Sequence, residues 1–209
     1  EERRRWNPHT HFVSHGVDVT HFAQALSPTL ARPPETVGWR RPVIGFFGLI
    51  AEWIDLGLIA EIARRRPHWT VVMIGKANVD TGALRALPNV HLLGQKPYAT
   101  LPAYCRSFDV GIIPFRVDTL TVRANPLKLR EYLAAGLPVV SSDLPEVRKY
   151  AGLARLADGV DGFVAAIETA LAENSHAARN ARVAAMTRES WEARVEQLSD
   201  LIDDMGGRT

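Results

Sequence analysis

Apolar residues in this chain fall into short unbroken runs, separated by stretches in which they recur every three or four positions. Val43-Ile44-Gly45-Phe46-Phe47 is a continuous apolar run of strand length, the pattern of a strand covered on both faces. Leu58, Ile59, Ile62 and Ala63 then recur at helical spacing, ahead of the charged Arg64-Arg65-Arg66 and the stop at Pro67. The alternation repeats as a strand over 70–74, a loop rich in Gly and Asn, a strand over 90–93, a short helix over 101–108 and a strand over 109–114. Beyond the polar loop 116–124 the pattern predicts a helix over 126–135, a stop at Gly136, a strand over 138–141 and a last short strand over 153–156. A helix over 161–173 gathers Phe163, Val164, Ile167, Ala170 and Leu171 on one face, with Asp158 or Asp161 as its cap. In the closing helix Trp191, Val195, Leu198, Ile202 and Met205 form the stripe of a helix lying on a larger body.

Repeated strand–helix alternation predicts an α/β fold, a Rossmann-like doubly wound parallel sheet with helices on both faces and right-handed crossovers. Ligands of such sheets sit beyond the carboxyl ends of the strands, which directs attention to the loops after Phe47, Ile74, Leu93 and Pro114 and to the helix near Pro126. Residues 1–36, with Pro28, Pro33 and Pro34, read as a linker or remnant of a preceding domain; 37–185 read as the Rossmann-like domain and 186–209 as the closing helix. Composition is that of a globular protein, 46% hydrophobic and 23% charged. The net charge of +2 gives no field that would draw nucleic acid. No run approaches the roughly 20 apolar residues of a membrane span, and Glu1-Glu2-Arg3-Arg4-Arg5 lacks the apolar core of a signal peptide. One cysteine, Cys105, excludes an internal disulfide and fits a reducing compartment, so a cytoplasmic location is expected. The chain opens without methionine and enters the extended run His11-Phe12-Val13 almost at once, and an upstream segment is expected.

The segment from Asn125 to Val140 carries the most chemistry. Asn125 suits a helix cap, Pro126 the first helical position and Gly136 the left-handed exit. The helix start then faces the ligand edge, where unpaired N–H groups and Lys128 in the first turn would attract a diphosphate. Glu131, one turn on, would accept hydrogen bonds from the vicinal hydroxyls of a ribose. Spacing alone leaves a second reading open, in which Lys128 and Glu131 are a surface pair three residues apart with no functional meaning.

Glu131-Tyr132-Leu133-Ala134-Ala135-Gly136-Leu137-Pro138-Val139-Val140 resembles the signature helix of GT-B glycosyltransferases in the large retaining, nucleotide-sugar-dependent group. Further pieces agree in order: His15-Gly16-Val17-Asp18 with Phe22, the strand ending at Gly48, Leu87-Pro88-Asn89-Val90 with Gly94, Leu101 with Tyr104, Phe108 and Asp109, and Ser190-Trp191. The resemblance implies the C-terminal, nucleotide-sugar-binding half of a GT-B enzyme, with the closing helix packing back toward an N-terminal acceptor domain. It implies that Glu131 binds the ribose and that Asn125, Pro126, Leu127 and Lys128 hold the pyrophosphate. It also implies a base site at Gly94-Gln95-Lys96-Pro97-Tyr98, although a plain surface loop is an equal reading of that composition. Two departures stand out: Arg123 occupies the position where many relatives carry a second Glu, and Glu52 and Asp55 follow the first strand where many carry Arg and Lys. Arg116, Arg123 or Lys76 is expected to supply the missing positive charge, beside Gly48, Gln95 and Lys96.

The activity implied is retaining, metal-independent transfer of a sugar from a nucleoside diphosphate sugar to a glycan or lipid-linked acceptor. No cofactor beyond the donor is expected, no nucleic-acid partner, peripheral membrane contact only through the absent half, and no turnover by this part alone. The alternatives are a nucleotide-sugar epimerase of GT-B shape and a non-catalytic nucleotide-binding module. An NAD dehydrogenase is disfavoured, because Gly45-x2-Gly48 lacks the third glycine of the dinucleotide fingerprint. His9, His11, His15 and His21 share no metal-ligand spacing with Cys, Asp or Glu, and no metal site is expected. Cys105 is expected to be a buried, inert thiol, and Arg3-Arg4-Arg5 and Arg64-Arg65-Arg66 solvated faces.

Overall fold

The apolar runs become a six-stranded, all-parallel sheet in a computed structural model that describes residues 2–206. Glu1 and residues 207–209 lie outside the described residues, as do the side chains of Glu2 and Met205, the last position of the expected stripe. The strands are β1 (Val43–Phe47), β2 (Thr70–Ile74), β3 (Val90–Gly94), β4 (Val110–Ile113), β5 (Val139–Ser142) and β6 (Ala154–Ala157), in the order β3-β2-β1-β4-β5-β6. The helices are α1 (Val19–Ala23), α2 (Leu56–Arg65), α3 (Gly82–Arg85), α4 (Leu101–Cys105), α5 (Leu127–Ala134), α6 (Pro145–Arg148), α7 (Gly159–Ala172), α8 (His176–Met186) and α9 (Trp191–Gly206).

Every residue of β1, β2, β4 and β5 is buried, which is why these strands show no polar alternation. Helices cover both faces: α2 packs against α7 on one side, while α5 packs against α1 and α8 on the other. A side chain such as Phe46, Ile44 or Ile59, fully enclosed, contributes about 1.5–3 kcal/mol by leaving water. Gly45 has a packing role, because a Cβ there would lie 2.1 Å from the Phe108 ring. Gly111 likewise leaves room for the ring of Tyr132.

Strand order reverses between β1 and β4, which pair only at Ile44 with Val110 and Gly45 with Gly111. In doubly wound sheets the ligand crevice lies at such a reversal, beyond the carboxyl ends of the strands. The Phe47 amide at the end of β1 donates to the Tyr132 hydroxyl at 2.9 Å, so α5 is bolted to β1.

Several segments differ from the expectation. The stretch read as a plain linker contains Val17 and Phe22, both buried, and α1, whose Asp18 cap accepts from the His21 amide. Helix α8 went unseen because its apolar positions are mostly alanines and its buried side chains are Arg182 and Met186. Asp158 occupies the cap position of α7 without a side-chain bond, and Asp161 pairs instead with Arg65. The α9 stripe points outward, with Trp191, Val195, Leu198 and Ile202 at 48%, 61%, 45% and 66% exposure. Arg64, Arg65 and Arg66 are tied to Glu61, Asp161 and Glu168.

Candidate functional site

Helix α5 starts at the rim of the crevice, and its start differs from the expected one. Pro126, not Asn125, occupies the cap position, and no side chain caps the helix. The Asn125 side chain is taken by Arg130, whose Nη1 donates to Asn125 Oδ1 at 2.7 Å. Leu127 and Lys128 therefore open the helix with no side-chain acceptor at its positive end, which leaves that end able to receive an anion.

Lys128 reaches over the end of β1. Its ammonium lies 5.3 Å from the centre of the Phe46 ring and 5.1 Å from that of Phe115. Gly48 makes this possible: a Cβ there would meet Lys128 Cε at 3.0 Å and Nζ at 3.2 Å. Glu131, one turn on, is only 8% exposed. Burial pushes its carboxyl up to about 7 against the opposing charge of Lys128. Burial also pulls the Lys128 ammonium down, while Glu131 pulls it back up. The two influence each other by charge without joining in an ion pair, so the surface-pair reading does not describe them. Neither has a hydrogen-bond partner among the described residues, and a partly desolvated acid and base in that state cost stability unless a ligand supplies partners.

Beside them lies a hollow of about 300 Å³ lined by Phe47, Gly48, Leu49, Ile74, Gly75, Lys76, Gln95, Lys96 and Leu101. Gly75, not singled out from the sequence, forms part of its floor with φ +146°, and a Cβ there would lie 1.8 Å from the Gly48 carbonyl oxygen. The signal for it was present, a glycine directly after an apolar strand as at Gly48. Four expected residues thus meet in one hollow, Gly48, Lys76, Gln95 and Lys96, next to Lys128 and Glu131. Lys76 and Gln95 are exposed. Lys96 is engaged within the chain: its ammonium donates to Glu35 Oε1 at 2.7 Å, and the Tyr104 hydroxyl donates to the same oxygen at 2.5 Å. Those two bonds hold the Glu35 carboxyl at about 2. Arg123 and Arg116 are exposed on the loop after β4, outside the residues that line the hollow.

The departures after β1 have a structural reason at one position. Asp55 Oδ1 accepts from the Leu58 amide at 2.9 Å and caps α2, while Glu52 is exposed. His21 stacks on Tyr98 at 4.6 Å, and among the described residues no three His, Cys, Asp or Glu side chains gather as a metal site would require. Cys105 is buried, and burial raises its thiol well above the ordinary range. Among the described residues no helix is long and apolar enough to cross a membrane.

A doubly wound sheet hosts many unrelated functions, and comparison with known proteins decides between them. Residues 41–179 match the family model described as glycosyl transferases group 1. The chain belongs to this family. Among its relatives is TuaH of Bacillus subtilis, named as a teichuronic acid biosynthesis glycosyltransferase, 33% identical over 175 residues covering 78% of this chain and 43% of TuaH. The fold is that of GT-B glycosyltransferases. Anabaena HepE, solved with UDP and glucose, superposes with a TM-score of 0.70 at 14% identity, over 91% of this chain and 56% of HepE. Sucrose-phosphate synthase from Thermosynechococcus elongatus gives 0.72 at 18% identity, over 99% of this chain and 56% of that one. This group 1 glycosyltransferase chain thus spans about half the length of the relatives it matches.

Proposed function

We propose that this chain is the donor-binding half of a glycosyltransferase that moves a sugar from a nucleoside diphosphate sugar to an acceptor. The observation that supports it most is the uncapped start of α5, where the half-buried Lys128 ammonium and the buried Glu131 carboxyl lie one turn apart with no hydrogen-bond partner among the described residues. In this reading the diphosphate lies against the amides of Leu127 and Lys128 and the Lys128 ammonium, the ribose hydroxyls donate to Glu131, and the base enters the hollow over Gly48, Gly75 and Gln95. The HepE complexes with UDP and UDP-glucose favour a uridine donor. Transfer breaks the bond between the anomeric carbon and the phosphate oxygen, which leaves with the bonding electrons. The acceptor hydroxyl oxygen then bonds that carbon and gives up its proton. Positive charge fixed at the helix start stabilises the departing diphosphate, and Arg116, Arg123 or Lys76, all exposed, adds to it.

The same reading takes the transfer as retaining and independent of a bound metal. The acceptor, a glycan or a lipid-linked one, is held by the part of the relatives that this chain does not span. The outward stripe of α9 packs toward that part, so this chain alone binds the donor without turning it over. We place the reaction in the cytoplasm, at the inner face of the membrane where the acceptor is lipid-linked. Calorimetric titration with UDP, GDP, their sugar conjugates and NAD tests the assignment. One nucleoside diphosphate and its conjugate should bind at a single site and NAD should not. Absence of binding by every nucleoside diphosphate, or a crystal with the nucleotide away from Glu131, would sink it.

A further inference from the structure

Arg130 sits on α5 between Lys128 and Glu131, and its side chain is 3% exposed. It is held at three points. Nη1 donates to Asn125 Oδ1 at 2.7 Å, Nε donates to Glu189 Oε2 at 3.2 Å, and the guanidinium lies 5.3 Å from the centre of the Tyr150 ring. Glu189 is itself a junction: its carboxylate also takes Arg194 of α9, and its backbone carbonyl accepts the Val17 amide at 3.0 Å. Val17 pairs with Ser190, the residue that opens α9. The buried guanidinium therefore joins the loop entering α5 to the root of α9.

Pro126 gives α5 no side-chain cap, so whatever fixes the adjoining Asn125 bears directly on the position of its first amides. A guanidinium is suited to that task, because its planar fork holds two acceptors in one rigid arrangement where an ammonium would hold them loosely. Displacement of the helix start by about 1 Å would take it out of hydrogen-bond register with a phosphate. From this arrangement we infer that Arg130 is a positioning residue for the phosphate-binding start of α5, and that Glu189 makes that start sensitive to how α9 is seated. The inference rests on the nucleotide-binding reading above.

The test is a double-mutant cycle in affinity for UDP and for GDP, measured by calorimetry on the whole chain, with thermal unfolding followed in parallel. Glu189→Ala removes a residue of the α9 root, yet it should weaken binding by about fivefold or more, and Asn125→Ala by a similar factor. The double variant should be no weaker than the weaker single, since both act through one guanidinium. Arg130→Lys should recover stability lost in Arg130→Met without recovering affinity. Lys128→Ala separates the two levels of the claim. If Lys128→Ala weakens binding while Glu189→Ala leaves it at the wild-type value, or if the Glu189 and Asn125 effects simply add, Arg130 has no positioning role and the donor site stands. If Lys128→Ala has no effect either, the donor site fails and this inference with it.

Discussion

Helices α2 and α5 leave strands β1 and β4, the two strands on either side of the switch point, yet they begin in opposite ways. At the start of α2, Asp55 caps the helix, Leu58, Ile59, Ile62 and Ala63 face the core, and Arg64 and Arg65 near its end are paired with Glu61. At the start of α5 there is no side-chain cap, and a half-buried ammonium and a buried carboxyl have no hydrogen-bond partner among the described residues. One helix satisfies its local requirements at each step; the other leaves them unmet within one turn, at the rim of a crevice. Unmet requirements concentrated in one place distinguish a binding surface from a scaffold, because a ligand can complete what the protein leaves open.

The contrast can be broken most forcefully at Glu131. Its carboxyl titrates at about 7 in the folded chain against an ordinary 4.5, so the unfolded chain gives up this proton first. Native stability should therefore fall as pH rises from about 4.5 to about 7 and stay lower above that, by about 3 kcal/mol at 1.36 kcal/mol per unit. Glu131→Gln removes that fall, and urea denaturation of both proteins at pH 4 and pH 8 reads it directly; parallel pH profiles would show that the carboxyl is not desolvated. Next in size, Lys128→Ala and Glu131→Ala should each weaken nucleotide binding by roughly 1–3 kcal/mol with the fold retained, as seen by titration alongside circular dichroism. The smallest change tests the other helix: Asp55→Ala should cost about 1 kcal/mol of stability through the lost cap and leave nucleotide affinity alone. An affinity loss there would mean that α2, too, belongs to the site.

Strands were legible because burial on both faces writes itself as unbroken apolar runs, and 43–47 and 70–74 are strands to the residue. Short helices were not, since a five-residue element such as α1 is too brief to show a period, and α8 buries an arginine where a period would need a leucine. At the site, Lys128, Glu131 and Gly48 could be placed because their meaning depends on neighbours close in sequence or on the strand end. Asn125 and Lys96 could be placed but not understood. Their partners, Arg130 folded back from the next turn and Glu35 some 61 positions earlier, are fixed by tertiary structure and leave no trace in spacing. Arg123 was singled out for its charge, and the structure leaves that charge on an exposed loop.

The contact between Gly75 and Gly48 bears on how this protein could be altered. Because the hollow rests there on main chain, with the Gly48 carbonyl filling the space that a Cβ at Gly75 would need, neither selection nor design has a side chain to vary at that level. On the proposed reading, any retuning toward a different nucleoside has to come from Leu49, Lys76 and Gln95, the exposed side chains around the mouth. Those three positions are where a library aimed at changing donor preference should be built.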